Sequence, residues 1–187
     1  MSKIENPVLK EVLETSIYIL AVLLISLFIV TFIGQRTVVD GSSMYPTLED
    51  KDNLIVDKIS YRFKAPERFD IIVLKYDKRV YYVKRIIGMP GETVQIAEDG
   101  KILINGEVLE ENYGYEVIDS DHRGRAAEPV VLGEDEYFVM GDNRNRSSDS
   151  RYPDVGNIQK KNILGKAWVR IYPFNKFGFV KHGNDGE

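Results

Sequence analysis

The 187-residue chain sets 25 Lys and Arg against 29 Asp and Glu, a net charge of -4, with the basic residues spread rather than clustered. Nothing in that balance draws in a phosphate backbone, so nucleic acid is not an expected partner. Cysteine is absent, which excludes thiolate catalysis, disulfides and cysteine zinc sites and suits work outside a reducing compartment. The two histidines, His122 in a Gly/Asp/Arg-rich stretch and His182 five residues from the end, read as solvated bystanders, so a Ser-His-Asp triad has little to draw on.

Residues 1–16 are polar and mixed in charge, with Val8, Leu9, Val12 and Leu13 at helical spacing and Pro7 as a helix start. From Ile17 to Ile33 seventeen residues carry no charge; as a helix they reach about 26 Å, the lower end of a bilayer span. The run is too long for a signal-peptide core and Gly34-Gln35-Arg36 offers no A-x-A-like cut, so a retained transmembrane anchor is expected. Lys3 and Lys10 on one side face Arg36 and Lys51 on the other, which leaves orientation open.

Beyond the anchor the texture is that of strands. Thr37–Asp40, Asp52–Ile59, Phe69–Tyr76 and Val80–Ile87 are rich in β-branched and apolar residues, and Gly88-Met89-Pro90-Gly91 closes the last of them. Residues 92–97, 101–105 and 107–109 read as a small β-ribbon turned at Asp99-Gly100 and Asn105-Gly106. Residues 111–129 are polar and read as a mobile loop; Tyr137–Met140 and Gly165–Tyr172 return to the core. Phe174, Phe177 and Phe179 in the tail either touch lipid or cap the core. The expected fold is therefore mainly β: one N-terminal transmembrane helix (17–33, after the 1–16 segment), then a β-sheet or barrel core over 37–187 with a small insertion at 92–135.

Three stretches carry chemistry. In Gly41-Ser42-Ser43-Met44-Tyr45-Pro46-Thr47-Leu48, Pro46 fixes a hydroxyl-rich turn delivered by the anchor; it is either an ordinary turn or a held nucleophile. In Tyr82-Val83-Lys84-Arg85-Ile86-Ile87, strand alternation puts Lys84 and Arg85 on opposite faces, so one charge is expected to face inward. A buried Lys84 loses proton affinity and becomes a base, as an arginine cannot; reaching a pKa near 7 needs roughly 4.6 kcal/mol. The alternative is that Lys84 snorkels to solvent. In Gly141–Arg151, Asp142, Asn143, Ser147, Asp149 and Ser150 alternate with Arg144, Arg146 and Arg151. Interleaved arginines disfavour a cation there, so neither metal nor cofactor is expected.

These stretches, with Asp70-Ile71-Ile72-Val73 and in this order, resemble the bacterial type I signal peptidases over most of the chain. The resemblance implies Ser43 as nucleophile, Lys84 as general base and Ser147 as the residue that holds the lysine amine. It also implies pairs between Asp142 and Arg85 and between Asp149 and Arg151; lysine at position 84, where reticulum-type relatives carry histidine, points to the bacterial form. Some members place an oxyanion-binding serine hydroxyl where this chain has Gly41, so the second oxyanion donor is expected from a backbone N–H, as in the short, Gram-positive-like members. Val39, Met44, Leu48, Tyr82 and Val83 are the implied substrate pockets, admitting small side chains and hence A-x-A-like cuts in preprotein signal peptides. The implied setting is the plasma membrane, single-pass in the lipid bilayer, with the catalytic domain on the extracytoplasmic side. A Ser/Lys self-cleaving repressor is the enzyme alternative, but residues 1–36 hold an anchor and no DNA-reading helix pair. An inactive membrane-anchored peptide-binding module of the same fold is the other; the presence of Ser43, Lys84 and Ser147 together argues against it.

Overall fold

The computed structural model describes residues 7–28, 34–77 and 80–183. Helix α1 (Pro7–Phe28), described from Pro7 onward, buries no residue and is long and apolar enough to cross a membrane. Residues 29–33 of the expected span and 1–6 before it lie outside the described residues. Among the described residues twelve strands follow: β1 (Gly34–Val38), β2 (Asn53–Asp57), β3 (Ile71–Lys75), β4 (Tyr81–Gly88), β5 (Thr93–Ile96), β6 (Ile102–Ile104), β7 (Glu107–Val108), β8 (Val130–Val131), β9 (Glu136–Met140), β10 (Ile158–Gln159), β11 (Ile163–Tyr172) and β12 (Gly178–Phe179). β1 starts earlier than expected because Gly34 already pairs with Asp57.

The main sheet runs β1-β2-β11-β3-β4-β9-β10, with β12 on β11. It does not close, so of the expected sheet or barrel the structure is an open sheet with β1 and β10 at its edges. Strands β3 and β4 are buried on both faces. Ile71 and Val73 enter one core with Val39, Met44, Leu48 and Val56, while Ile72 and Leu74 enter another with Ile86, Tyr137 and Val139. Each such side chain contributes about 1.5–3 kcal/mol by leaving water. Double coverage is why these segments read as continuous apolar runs instead of alternating ones. Between β2 and β3 the sequence gives no sign of α2 (Ser60–Phe63), a single turn started by Asp57, whose Oδ1 accepts the N–H of Ile59 at 2.8 Å and of Ser60 at 3.1 Å.

The second sheet, β7-β6-β5-β8, contains the expected ribbon. Asn105 and Gly106 both take positive φ, 53° and 86°, as a two-residue hairpin turn with the strand twist requires. Its Val94, Ile96 and Ile102 share a core with Ile87, Phe138 and Met140 of the main sheet. The 111–129 segment, expected to be a mobile loop, is instead packed: Ile118 and Ala126 enter that core and two 3-10 turns (Ser120–His122 and Gly124–Ala127) shape the chain between them. Two isolated apolar residues in a polar run are too sparse to register as periodicity.

Two expectations about the tail are also corrected or decided. Phe174, Phe177 and Phe179 are exposed, at 81%, 66% and 74%, and so do not cap the core. His182 is no solvated bystander: its Nδ1 accepts the Ile71 N–H at 2.9 Å, and burial lowers its pKa to about 4, leaving a neutral ring that ties the tail to β3.

Candidate active site

The serine turn hangs from the sheet by its apolar residues. Met44 and Leu48 are buried in the core while Ser43 between them and solvent is half-buried. Gly41 takes φ +94°, a conformation that disfavours a side chain, and its N–H donates to Asp50 Oδ1 at 2.8 Å. Tyr45 N–H closes the turn on the Ser42 carbonyl at 3.1 Å.

The loop that follows β9 clamps this turn from the far side. Asn143 donates its backbone N–H to the Ser43 carbonyl and its Nδ2 to the Ser42 carbonyl, both at 3.1 Å. Gly141 makes the approach possible: a Cβ there would collide with the Ser43 carbonyl oxygen and the Ser147 hydroxyl, and would lie 2.6 Å from Ser147 Cβ. Gly141→Ala is therefore expected to displace the serine turn and lower kcat/KM by about 100-fold or more, because a shift near 1 Å is enough for that. Peptide kinetics beside a melting curve would show it; wild-type kinetics in the variant would mean that the two loops move apart freely.

From β4 come both charges, and both are buried: Lys84 at 4% exposure and Arg85 at 0%. The expectation of one inward charge fails because β4 has covered faces on both sides. Lys84 Nζ lies 2.7 Å from Ser43 Oγ. Desolvation lowers its pKa from the ordinary 10.5 to about 8, with the charges of Asp149 and Asp142 opposing and that of Arg151 adding to the fall. An ammonium donates to the hydroxyl across this contact; the neutral amine accepts the hydroxyl's proton instead.

Arg85 is matched by Asp142 in a bidentate pair, Nε to Oδ1 at 2.8 Å and Nη2 to Oδ2 at 2.7 Å, and lies 3.7 Å from the centre of the Tyr113 ring. Asp142 Oδ2 also accepts the Thr47 hydroxyl at 2.5 Å, so one carboxylate joins β4, the loop and the serine turn. Asp149 and Arg151 form the second bidentate pair, at 2.8 and 2.9 Å, while Asp149 Oδ2 accepts the Gly141 N–H at 3.0 Å. Ser147 is buried beside Gly141 with no hydrogen-bond partner for its hydroxyl. Each loop carboxylate that a cation would need is thus engaged by a guanidinium.

A cavity of about 280 Å³ opens beside Ser43 and Lys84, and Val39, Met44, Tyr82 and Val83, which the resemblance assigns to substrate pockets, are among the residues that line it. Leu48 does not; it is fully buried beneath the turn. Thr47, Asn143 and Tyr113 are contacts that sequence reading passed over. Asn143 was visible as one polar residue of many, and Tyr113 sat in the segment taken for a mobile loop.

Residues 11–172 match the family model described as signal peptidase, peptidase S26, which makes the protein a peptidase. Signal peptidase I of Leptolyngbya laminosa is 41% identical over 163 residues, covering 82% of this chain and 76% of that protein. Signal peptidase I S of Bacillus subtilis (strain 168) is 38% identical over 178 residues, covering 89% and 92%. A crystal structure of a signal peptidase I from Enterococcus faecalis V583, 35% identical, covers 55% of this chain and 97% of that chain with a TM-score of 0.45. The chain belongs to this family, as a bacterial type I signal peptidase.

Proposed function

We propose that the protein is a membrane-anchored serine endopeptidase that removes signal peptides from exported preproteins after small residues, with Ser43 as nucleophile and Lys84 as general base. The observation that carries this is the 2.7 Å contact between a buried lysine nitrogen and a serine hydroxyl on a turn that is reachable from solvent. Neutral Lys84 takes the Ser43 proton as Oγ attacks the scissile carbonyl. The Ser43 N–H steadies the oxyanion, and the second donor is a backbone N–H, since Gly41 brings no hydroxyl. Protonated Lys84 then passes its proton to the leaving amine and, neutral again, activates water to release the acyl group. Arg85 with Asp142 and Arg151 with Asp149 act as positioning residues, and the Ser147 hydroxyl, buried without a partner in this structure, turns to the Lys84 amine when the site is in use.

The small cavity walled by Val39, Met44, Tyr82 and Val83 supports a preference for small side chains before the cut. Helix α1 supports a single pass through the plasma membrane, with residues 37–187 as the catalytic domain on the extracytoplasmic side and 92–135 as its insertion. The test is to incubate detergent-solubilised full-length protein with a preprotein carrying an A-x-A site and to locate the cut by mass spectrometry. One cut after the final Ala, lost in Ser43→Ala, is the expected result. Equal cutting when that Ala is replaced by Leu would overturn the specificity. No cut by folded wild type would move the reading to a peptide-binding module.

A further inference from the structure

A second cavity, of about 470 Å³, opens at the serine turn and is walled by Ser42, Tyr45, Tyr115, Glu116, Asn143 and Arg146, with no β4 residue in its wall. Ser42 and Arg146 also line the cavity beside Lys84, so the two hollows meet at the nucleophile's own turn. A peptide whose scissile carbonyl sits at Ser43 has two arms. If one arm fills the smaller hollow beside Val39, Met44, Tyr82 and Val83, the other leaves across Ser42 into the second.

That hollow is built for a polar backbone. Asn143 is 5% exposed, and its Nδ2 is committed to the Ser42 carbonyl at 3.1 Å, which fixes the amide's orientation. Its Oδ1 is left buried without a donor, an arrangement that a bound N–H relieves. The outer wall comes from the 111–129 segment: Tyr115 meets Tyr45 edge to face with centroids 4.9 Å apart, and its N–H donates to the Asp142 carbonyl at 2.9 Å. The segment is therefore pinned to the same loop that positions Ser43, and it brings Glu116, an exposed carboxylate, to the second hollow and not to the one beside Lys84.

We propose that this second cavity is the leaving-side site, which holds the first residues of the released protein and reads their charge. The proposal rests on Ser43 being the nucleophile. The nitrogen of the first released residue is the leaving atom, so the first N–H free to bond is that of the second residue, and Asn143 Oδ1 accepts it. Arg146 sits at the junction of the hollows; Glu116 lies beyond it and favours basic over acidic side chains at the second and third released residues.

The test uses full-length protein in detergent at low salt with peptides identical up to the cut and carrying Lys-Lys or Glu-Glu at the second and third positions after it. Wild type is expected to cut the Lys-Lys peptide with kcat/KM about three- to five-fold higher, the scale of an exposed charge contact, and raised salt to flatten the difference. Glu116→Lys is expected to invert the ratio; the same ratio in both proteins would overturn the charge reading. An ester in place of the amide at the second released residue is expected to slow cutting about ten-fold, as for one lost hydrogen bond, and no slowing would remove Asn143 Oδ1 from the site. The same peptides, bound to Ser43→Ala protein and followed by fluorescence anisotropy, separate the two readings. A Glu116-dependent order of affinities with no cleavage by wild type would leave a charge-reading peptide site and overturn both its leaving-side role and the proposed function. Cleavage with a Glu116-independent ratio would overturn the charge reading and leave the proposed function standing.

Discussion

Lys84→Met is expected to lose about 10³-fold or more in kcat/KM and, at the same time, to melt at a higher temperature than the wild type. The two effects have one cause. Burial lowers the Lys84 pKa from 10.5 to about 8, so at pH 7 the fold holds an ammonium it disfavours. The difference amounts to about 3 kcal/mol of stability. The direction follows from the lowered value: above pH 10.5 the residue is neutral folded or unfolded and nothing is lost. As pH falls toward 8 the unfolded chain takes up the proton first and the penalty grows; below 8 it is complete. Methionine has similar volume and no charge, so the gain in melting temperature at pH 7 should shrink when both proteins are melted near pH 10. In wild type, kcat/KM should fall tenfold per unit as pH drops below about 8, because only the neutral amine accepts the Ser43 proton. A flat profile from pH 6 to 8 would remove lysine from the base's role. A Met variant less stable than wild type would show that the ammonium is well solvated where it sits.

Asp142→Ala is expected to be the most destabilising single change in the loop. It strips Arg85, 0% exposed, of its bidentate partner and Thr47 of its acceptor. Removing one member of a buried pair costs about 3–5 kcal/mol because the other charge stays behind. Set against a total stability of roughly 5–15 kcal/mol, this should lower the melting temperature by roughly 10 °C, read by circular dichroism in detergent. The paired change Arg85→Met with Asp142→Leu should recover most of that loss, since two apolar groups leave no charge unmatched. It should not recover activity, because Thr47 and the Tyr113 ring lose the groups that position them. A loss below about 1 kcal/mol in the single variant would mean that water replaces Asp142.

The strand candidates were legible because β3 and β4 consist of buried β-branched runs, and Asn105-Gly106 announced its hairpin through backbone chemistry alone. Ser43, Lys84 and the Gly141–Arg151 loop stood out as the densest chemistry in the chain, and the structure brings all three together. The sequence misled where tertiary packing decides. Alternation along β4 suggested one buried charge; it holds two, because the Arg85 face is covered by Asp142 and Tyr113, the latter 28 residues away in the chain. The 111–129 segment looked free because Ile118 and Ala126 are too far apart to form a pattern, yet each fills a place in a core supplied by other strands. His182 looked free because nothing local shows that its ring would meet the Ile71 N–H. Leu48, assigned to a pocket wall, went beneath the turn instead.

The place of β11 has a consequence for timing. In the main sheet it lies between β2, which leads from the serine turn, and β3, which pairs with the lysine-bearing β4. As the ribosome delivers the chain, Ser43 and Lys84 emerge early, but their strands share a sheet only once residues 163–172 have been made and threaded between them. A nascent chain thus carries Ser43 and Lys84 on segments not yet joined in one sheet, and their 2.7 Å contact is expected to form only when synthesis has passed residue 172.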